Sequence, residues 1–335
     1  MDSRTRTQGR TRRSLLSLLI ALAVLLAGCA VQPVAAPGEQ GAAPVAAEAT
    51  SADSQGFPRT ITDGLGSKVT IPQQPQRIVS LTLGTDEILL SLVDTARVRG
   101  VTYLAGDSMW TNVSEIARQV ENTVQSDPEQ IIALEPDLVL AATYNNPDHI
   151  KLLRDAGIPV VVVSLFDSVG QVADNIRFVA HLTGDEARAE ELIAAMEERL
   201  AAIEAQVAKA ETKPRVLFYT AFGSSAGKGS TFSDIVQRAG GINLGDEVLD
   251  GPFGEISLEK IVELNPDVII TDEFAPEDNA KWQENFSNHP ALANVNAKKN
   301  GHIYTVPARH LSTLSHYIVE GVFDVAKLLH PDLVQ

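Results

Sequence analysis

The feature that most constrains this chain is an internal repeat. Asp127-Pro-Glu-Gln-Ile-Ile-Ala-Leu-Glu-Pro-Asp-Leu-Val-Leu140 aligns, 130 residues further on, with Ser257-Leu-Glu-Lys-Ile-Val-Glu-Leu-Asn-Pro-Asp-Val-Ile-Ile270. Each copy reads as a capping residue, a Glu in the first turn, a short amphipathic helix, an x-Pro-Asp break and an apolar strand. The helix must stop before the proline, whose ring removes a backbone donor and pushes the preceding residue out of the helical region. Two copies at one offset predict two similar α/β lobes, each with helices packed on a mainly parallel sheet.

The surrounding pattern agrees. Alternating residues around Asp63-Gly-Leu-Gly66 predict a hairpin over residues 59–71. Strand and helix patterns then alternate: strands at 77–81, 98–101, 137–141 and 159–163, helices at 85–93, 127–134, 148–156 and 167–183. Residues 185–210 break the rhythm. They are rich in Ala, Glu and Leu without Gly or Pro, which predicts one helix of roughly 39 Å. Gly184 and Asp185 supply a stop and a cap before it, and Pro214 a stop beyond it. This helix reads as a connector between a lobe at 57–184 and a lobe at 212–335, with 185–211 as linker. The cleft between the lobes, where strand C-termini converge, is the expected ligand site.

Ahead of the folded part lies a leader. Arg4, Arg6, Arg10, Arg12 and Arg13 precede an apolar run from Leu15 to Leu26, then Leu26-Ala27-Gly28-Cys29. A basic head and a short apolar segment before small residues make a secretory signal, here residues 1–28, too short for a membrane span. The last four residues resemble the bacterial lipobox, in which the Cys is acylated and becomes the mature N-terminus. Cys29 is the one Cys of the chain, so no internal disulfide competes for it. Thr11-Arg12-Arg13-Ser14-Leu15-Leu16 resembles a twin-arginine export signal. Residues 29–56 hold Ala, Pro, Gly, Glu, Gln and Ser with almost no large apolar residue, the composition of a flexible tether reaching roughly 30 Å. Loss of the leader removes five Arg and one Asp, taking the net charge from −16 to −20. So acidic a surface argues against nucleic acid and anionic lipid as partners.

Taken together, several motifs resemble the substrate-binding lipoproteins of ABC importers that capture ferric siderophores, haem and cobalamin. The carriers are Ile61-Thr-Asp-Gly-Leu-Gly66, Pro75-Gln-Arg-Ile-Val-Ser-Leu81, Thr85-Asp-Glu-Ile-Leu89, Glu129 to Val139, Leu153-Arg-Asp-Ala-Gly-Ile-Pro159, Gly229-Ser-Thr-Phe232 and Ala239-Gly-Gly-Ile-Asn243, with the second repeat copy. The resemblance spans residues 57 to about 332. It implies a non-enzymatic receptor without a cofactor, working as a monomer at the extracytoplasmic face of the cell membrane. Acylated Cys29 would hold it to the bilayer, and a permease dimer with its ATPase would take over the metal chelate. It also implies a stiff linker helix with small closure on ligand, and docking of Glu129 and Glu259, one per lobe, on permease Arg residues. Read from the residues alone, each acid favours its helix N-terminus by about 0.3–1 kcal/mol.

Loops after strands should supply the ligand contacts. In the first lobe these are Thr82, Thr85, Tyr103, Trp110 and Tyr144, with Asn145 and Asn146. In the second they are Phe222, Ser224, Lys228, Phe253 and Arg309, with Glu273. Aromatic faces suit flat chelates and macrocycles, and Lys or Arg neutralises anionic groups on them. Gly227-Lys228-Gly229-Ser230 lacks the register of a phosphate loop. The seven His residues share no i, i+4 spacing, which leaves a bare transition-metal site as the alternative within transport. An extracytoplasmic enzyme or sensor on the same fold is the alternative outside it. Ser230 and Thr231 read as helix caps first and ligand donors second.

Overall fold

The computed structural model describes residues 56–164, 168–220, 222–273 and 280–335. Cys29, the leader and the tether lie outside them. The chain opens with the hairpin β1 (Arg59–Thr62) and β2 (Lys68–Ile71), antiparallel as expected. Asp63 closes its turn by accepting the Leu65 and Ser67 N–H groups on Oδ1, at 3.0 and 2.8 Å. Its other oxygen pairs with Arg154 and so ties the hairpin to the body of the lobe.

Strands β3 (Ile78–Ser80), β4 (Val98–Thr102), β5 (Thr123–Val124), β6 (Leu138–Ala142) and β7 (Val160–Val163) form a parallel sheet in the order β5-β4-β3-β6-β7. Strands β6 and β7 are buried at every residue, as strands covered by helices on both faces must be. The second lobe holds β8 (Arg215–Phe218), β10 (Ile242–Asn243), β12 (Val268–Asp272) and β13 (Ile303–Val306), parallel in the order β10-β8-β12-β13. A two-stranded antiparallel ribbon, β9 (Ser224–Ala226) with β11 (Phe253–Glu255), is added to it.

The repeat is as exact in backbone as in sequence. Asp127 caps the first helix, Pro128–Ala133, by accepting the Glu129 N–H, and Ser257 caps the second, Leu258–Leu264, by accepting the Lys260 N–H. Before each proline one residue takes a left-handed conformation, Glu135 at φ 48° and Asn265 at φ 47°. Each following aspartate then reaches back to the start of the first parallel strand of its lobe, β3 or β8. Asp137 accepts the Gln76 and Arg77 N–H groups, both at 2.8 Å, and Asp267 accepts that of Arg215 at 3.0 Å.

The linker helix runs Glu186–Val207, 22 residues. It ends three residues short of the expected Ala210, with Ala208 as its cap and residues to Ala210 continuing as turns. Gly184 ends the preceding helix, Val172–Thr183, in a left-handed conformation, as the stop signal predicts. Asp185 corrects the reading in another way. It makes no side-chain cap, because both its oxygens bind Arg97, each at 3.0 Å. Ala189, Ile193, Met196, Leu200 and Ile203 form the buried stripe of the linker, at steps of three and four residues. It packs on Val172–Thr183 of the first lobe and on Ile318–Leu329 of the second. One apolar core runs through these helices from lobe to lobe, and two smaller cores lie on the outer sides of the sheets.

Candidate functional site

Parallel strands place all their carboxyl ends along one edge of a sheet, and that edge carries the candidate site. In the first lobe the edge encloses a recess of about 400 Å³. Its wall is made by Leu81–Leu83 after β3, Thr102–Leu104 at the end of β4, Val124–Ser126 at the end of β5, and Tyr144 after β6. Tyr144 sits on a turn braced by its neighbours. Asn145 Oδ1 accepts the Ala142 N–H at 2.7 Å, and Asn146 caps the next helix through the Asp148 N–H at 2.9 Å. Those two amides therefore hold the turn, and only Tyr144 of the three reaches the recess.

The two threonines part company. Thr82 lines the recess, although its hydroxyl also accepts the Thr85 N–H at 3.3 Å as the cap of helix Leu83–Leu92. Thr85 is fully buried, with its hydroxyl 2.7 Å from both Ser80 Oγ and Thr82 Oγ1. It belongs to the cap and does not face the cleft, a correction to the expected ligand contact. A helix-start Thr in an apolar segment reads the same in sequence whether its hydroxyl turns outward or back onto the cap.

Beneath the recess lies Asp86, a buried acid of helix Leu83–Leu92. Its Oδ2 accepts the Thr102 N–H and hydroxyl, at 3.2 and 2.5 Å, while Oδ1 is buried without a hydrogen-bond partner. Burial pushes its carboxyl up to about 7, against the pull of the Thr102 and Ser80 hydroxyls. The adjacent Glu87 is buried too. The signal for both was two successive acids inside an otherwise apolar helix.

On the second lobe, Phe222 stands on a turn held by Thr220, whose Oγ1 accepts the Phe222 and Ser224 N–H groups at 3.3 and 3.2 Å. Ser224 is half-buried at the start of β9, and Phe253 opens β11 opposite Ala226. Lys228 is exposed on the turn after β9, and Ser230 caps helix Thr231–Arg238 by accepting the Ser233 N–H at 3.1 Å. Asp272, at the end of β12, is another acid that burial pushes upward. Glu273 is exposed, its N–H donating to Val306 O at 2.9 Å.

Arg309 bridges to the first lobe. Its Nη1 donates to Ser108 O of the first lobe at 3.0 Å, and its own carbonyl accepts from Asn112 Nδ2 at 2.9 Å. Arg309 thus links the two lobes beside Trp110 through one of its N–H groups. Among the described residues, the exposed aromatics are Tyr103, Trp110, Tyr144, Phe222 and Phe253, the five singled out by sequence. Phe222 is 85% exposed and Tyr144 70%, far more than apolar packing would leave. Glu129 and Glu259 are exposed in the first turns of their helices. Among the described residues no group of three or more His, Cys, Asp or Glu is placed to hold a metal ion, and no helix is long and apolar enough to cross a membrane.

A profile of the periplasmic binding protein family matches residues 78–310, from the first strand of the parallel sheet to the short helix that carries Arg309. The chain belongs to that family. It is a substrate-binding protein of the kind that serves ABC importers, and its activity is binding rather than turnover. The family works outside the cytoplasm. A cobalamin-binding protein of Halobacterium salinarum is 28% identical over 313 residues, covering 92% of this chain and 84% of its own. An uncharacterized ABC transporter substrate-binding lipoprotein of Bacillus subtilis, YvrC, is 27% identical over 336 residues, 96% of this chain and 98% of its own. Among solved structures, the apo periplasmic heme-binding protein RhuT from Roseiflexus sp. RS-1 superposes with a TM-score of 0.67 at 26% identity, over 78% of this chain and 99% of that one. The molybdate-bound MolA of Haemophilus influenzae gives a TM-score of 0.69 at 24% identity, over 82% and 91%.

Proposed function

We propose that this protein is a lipid-anchored receptor that takes up a metal chelate, of the corrinoid, ferric siderophore or haem type, in the cleft between its lobes and delivers it to an ABC importer. The observation that carries the reading is the set of five exposed aromatics on loops near strand ends, of which Tyr103 and Tyr144 line the open recess. A recess of about 400 Å³ lies within the range of small-molecule sites. Aromatic faces suit a flat chelate better than a small oxyanion, which calls for converging N–H donors and cations. Cobalamin comes first among the ligands to test, because a relative of that name matches over most of both chains.

Cys29 anchors the mature chain in this reading, with residues 29–56 as the tether. Glu129 and Glu259 are the docking acids. Each is followed three residues on, and so on the same helix face, by an exposed aliphatic side chain, Ile132 and Val262. A duplicated acid-plus-aliphatic pair suits a permease made of two like subunits.

The test is native mass spectrometry of the purified protein with cyanocobalamin, a ferric hydroxamate, haem and molybdate in turn. One chelate should be retained at one per chain. Retention of molybdate alone, or of none of the four, would refute the chelate reading. In fractionated bacterial cells the wild type should stay with the membrane and Cys29→Ser should be released.

A further inference from the structure

Glu87 lies in the helix Leu83–Leu92, one turn after Leu83 and on the same face, so it sits directly behind the lip of the recess. Its side chain is 1% exposed. The donors that hold its carboxylate are all uncharged, and they divide by lobe. Oε1 accepts from Thr111 Oγ1 at 3.1 Å, Asn112 N at 2.8 Å and Asn112 Nδ2 at 3.0 Å, all in the first lobe. Oε2 accepts from Thr313 Oγ1 and, at 2.8 Å, from Ser315 Oγ, both in the second lobe and both buried.

The same network carries two residues of the cleft. Asn112 Nδ2 also binds Arg309 O, and Arg309 Nη1 binds Ser108 O, so the segment bearing Trp110 and the segment bearing Arg309 share one set of hydrogen bonds. Thr313 and Ser315 are themselves fixed. Their hydroxyls lie 2.8 Å apart, and each accepts a backbone N–H, from Ser315 and Tyr317 respectively.

We infer that Glu87 is the positioning residue that sets the spacing of the two cleft walls, by holding the Thr111–Asn112 segment of one lobe and the Thr313–Ser315 segment of the other on the two oxygens of one carboxylate. The shared apolar core joins the lobes along the linker helix, whereas this latch joins them next to the ligand site. A buried carboxylate without its donors would be unpaired at high cost, so the lobes cannot part at this point without exposing it to water. The inference does not depend on which ligand is bound, because the spacing is a property of the free protein.

The test measures the distance between spin labels on the exposed positions Lys151 and Lys299, one per lobe, each replaced by Cys in the full chain carrying Cys29→Ser. Glu87→Gln keeps the bridge, since its carbonyl can face the obligate donors of Asn112 and its amide the hydroxyls, which can turn to accept. It should give the wild-type distance distribution. Thr313→Val with Ser315→Ala removes only the second-lobe half and replaces hydroxyls by apolar groups of similar size. This variant should broaden the distribution or shift its mean by more than about 2 Å. Glu87→Ala should do the same where it folds, and the Thr313/Ser315 variant decides where it does not. A purely structural role lowers the melting temperature and leaves the distribution unchanged; that result in the folded Thr313/Ser315 variant overturns the inference.

Discussion

The two lobes share one fourteen-residue unit but differ in the walls they build beside it. In the first, the unit delivers β6 into a five-stranded sheet whose carboxyl edge encloses a recess over a buried acid, Asp86. In the second, it delivers β12 into a four-stranded sheet whose edge carries an open ribbon with Phe222 and Phe253 held out in solvent. The duplicated part fixes the frame: a cap, a left-handed residue, an aspartate that closes onto the first strand. The ligand walls come from segments outside the repeat. Frame and specificity can therefore change independently, which suits relatives at 24–28% identity whose names cite different solutes.

The sharpest way to break this comparison is to strip each wall of its aromatics. Tyr103→Ala with Tyr144→Ala removes two rings from the wall of the recess, each contributing about 0.5–1.5 kcal/mol, so binding of the retained chelate should weaken by roughly ten- to a hundred-fold. Phe222→Ala with Phe253→Ala should cost less, about three- to ten-fold, because neither ring lines the recess. Titration calorimetry measures both. Equal losses would mean that the two walls contribute alike.

A second comparison is between the buried titrating groups. Asp86 of the first lobe is raised from 3.8 to about 7, mainly by burial. Between those values the folded protein holds a proton that the unfolded chain has released, so this group makes stability fall as pH rises. His316 of the second lobe is lowered from 6.5 to about 4, by burial first and by Arg188 second. Between those values the unfolded chain holds the extra proton, so this group makes stability rise with pH. Over pH 4.5–6.5 the two slopes oppose each other and their sum should be nearly flat. Asp86→Asn should leave the rising slope, a gain of about 2 kcal/mol across the window, at most about 1.4 kcal/mol per pH unit. His316→Phe should leave the falling one. Urea unfolding at the two ends of the window reads the sign, and a flat profile in both variants would contradict the assignment.

The smallest effect separates the two left-handed residues. Glu135 carries a β-carbon and a long side chain at φ 48°, whereas Asn265 is of a type that tolerates this conformation. Glu135→Gly should raise stability by up to about 1 kcal/mol, and Asn265→Gly should lower it by about 1 kcal/mol, because Asn265 Oδ1 accepts the Asn296 N–H at 2.8 Å. Thermal unfolding checks the ranking. Its reversal would show that the copies differ in backbone as well as in their walls.

Much of this was legible in the sequence because it is local. The alternation of strand and helix, the repeat with its caps, the long linker and the aromatics at strand ends all follow from spacing along the chain. What escaped depends on partners far away. The ribbon β9 with β11 pairs segments lying on either side of helix Thr231–Arg238, with no turn signal of a hairpin between them. Asp185 has the sequence of a helix cap, but Arg97, 88 residues earlier, takes its carboxylate. The bridge from Arg309 to Ser108 joins residues 201 apart, which no local pattern announces. Glu87 passes as one acid of an apolar helix until Thr313 and Ser315 of the other lobe close on it.

The central claim is that the ligand sits between the lobes, and the chain's two tryptophans report on it. Trp110 is exposed beside the bridge from Asn112 to Arg309, and Trp282 is buried in the outer core of the second lobe. Tryptophan fluorescence should be followed during titration with the chelate retained in the binding panel. The account predicts quenching that saturates at one ligand per chain, disappears in Trp110→Phe and persists in Trp282→Phe. Quenching that survives Trp110→Phe and is lost in Trp282→Phe would place the ligand away from the cleft and contradict the account.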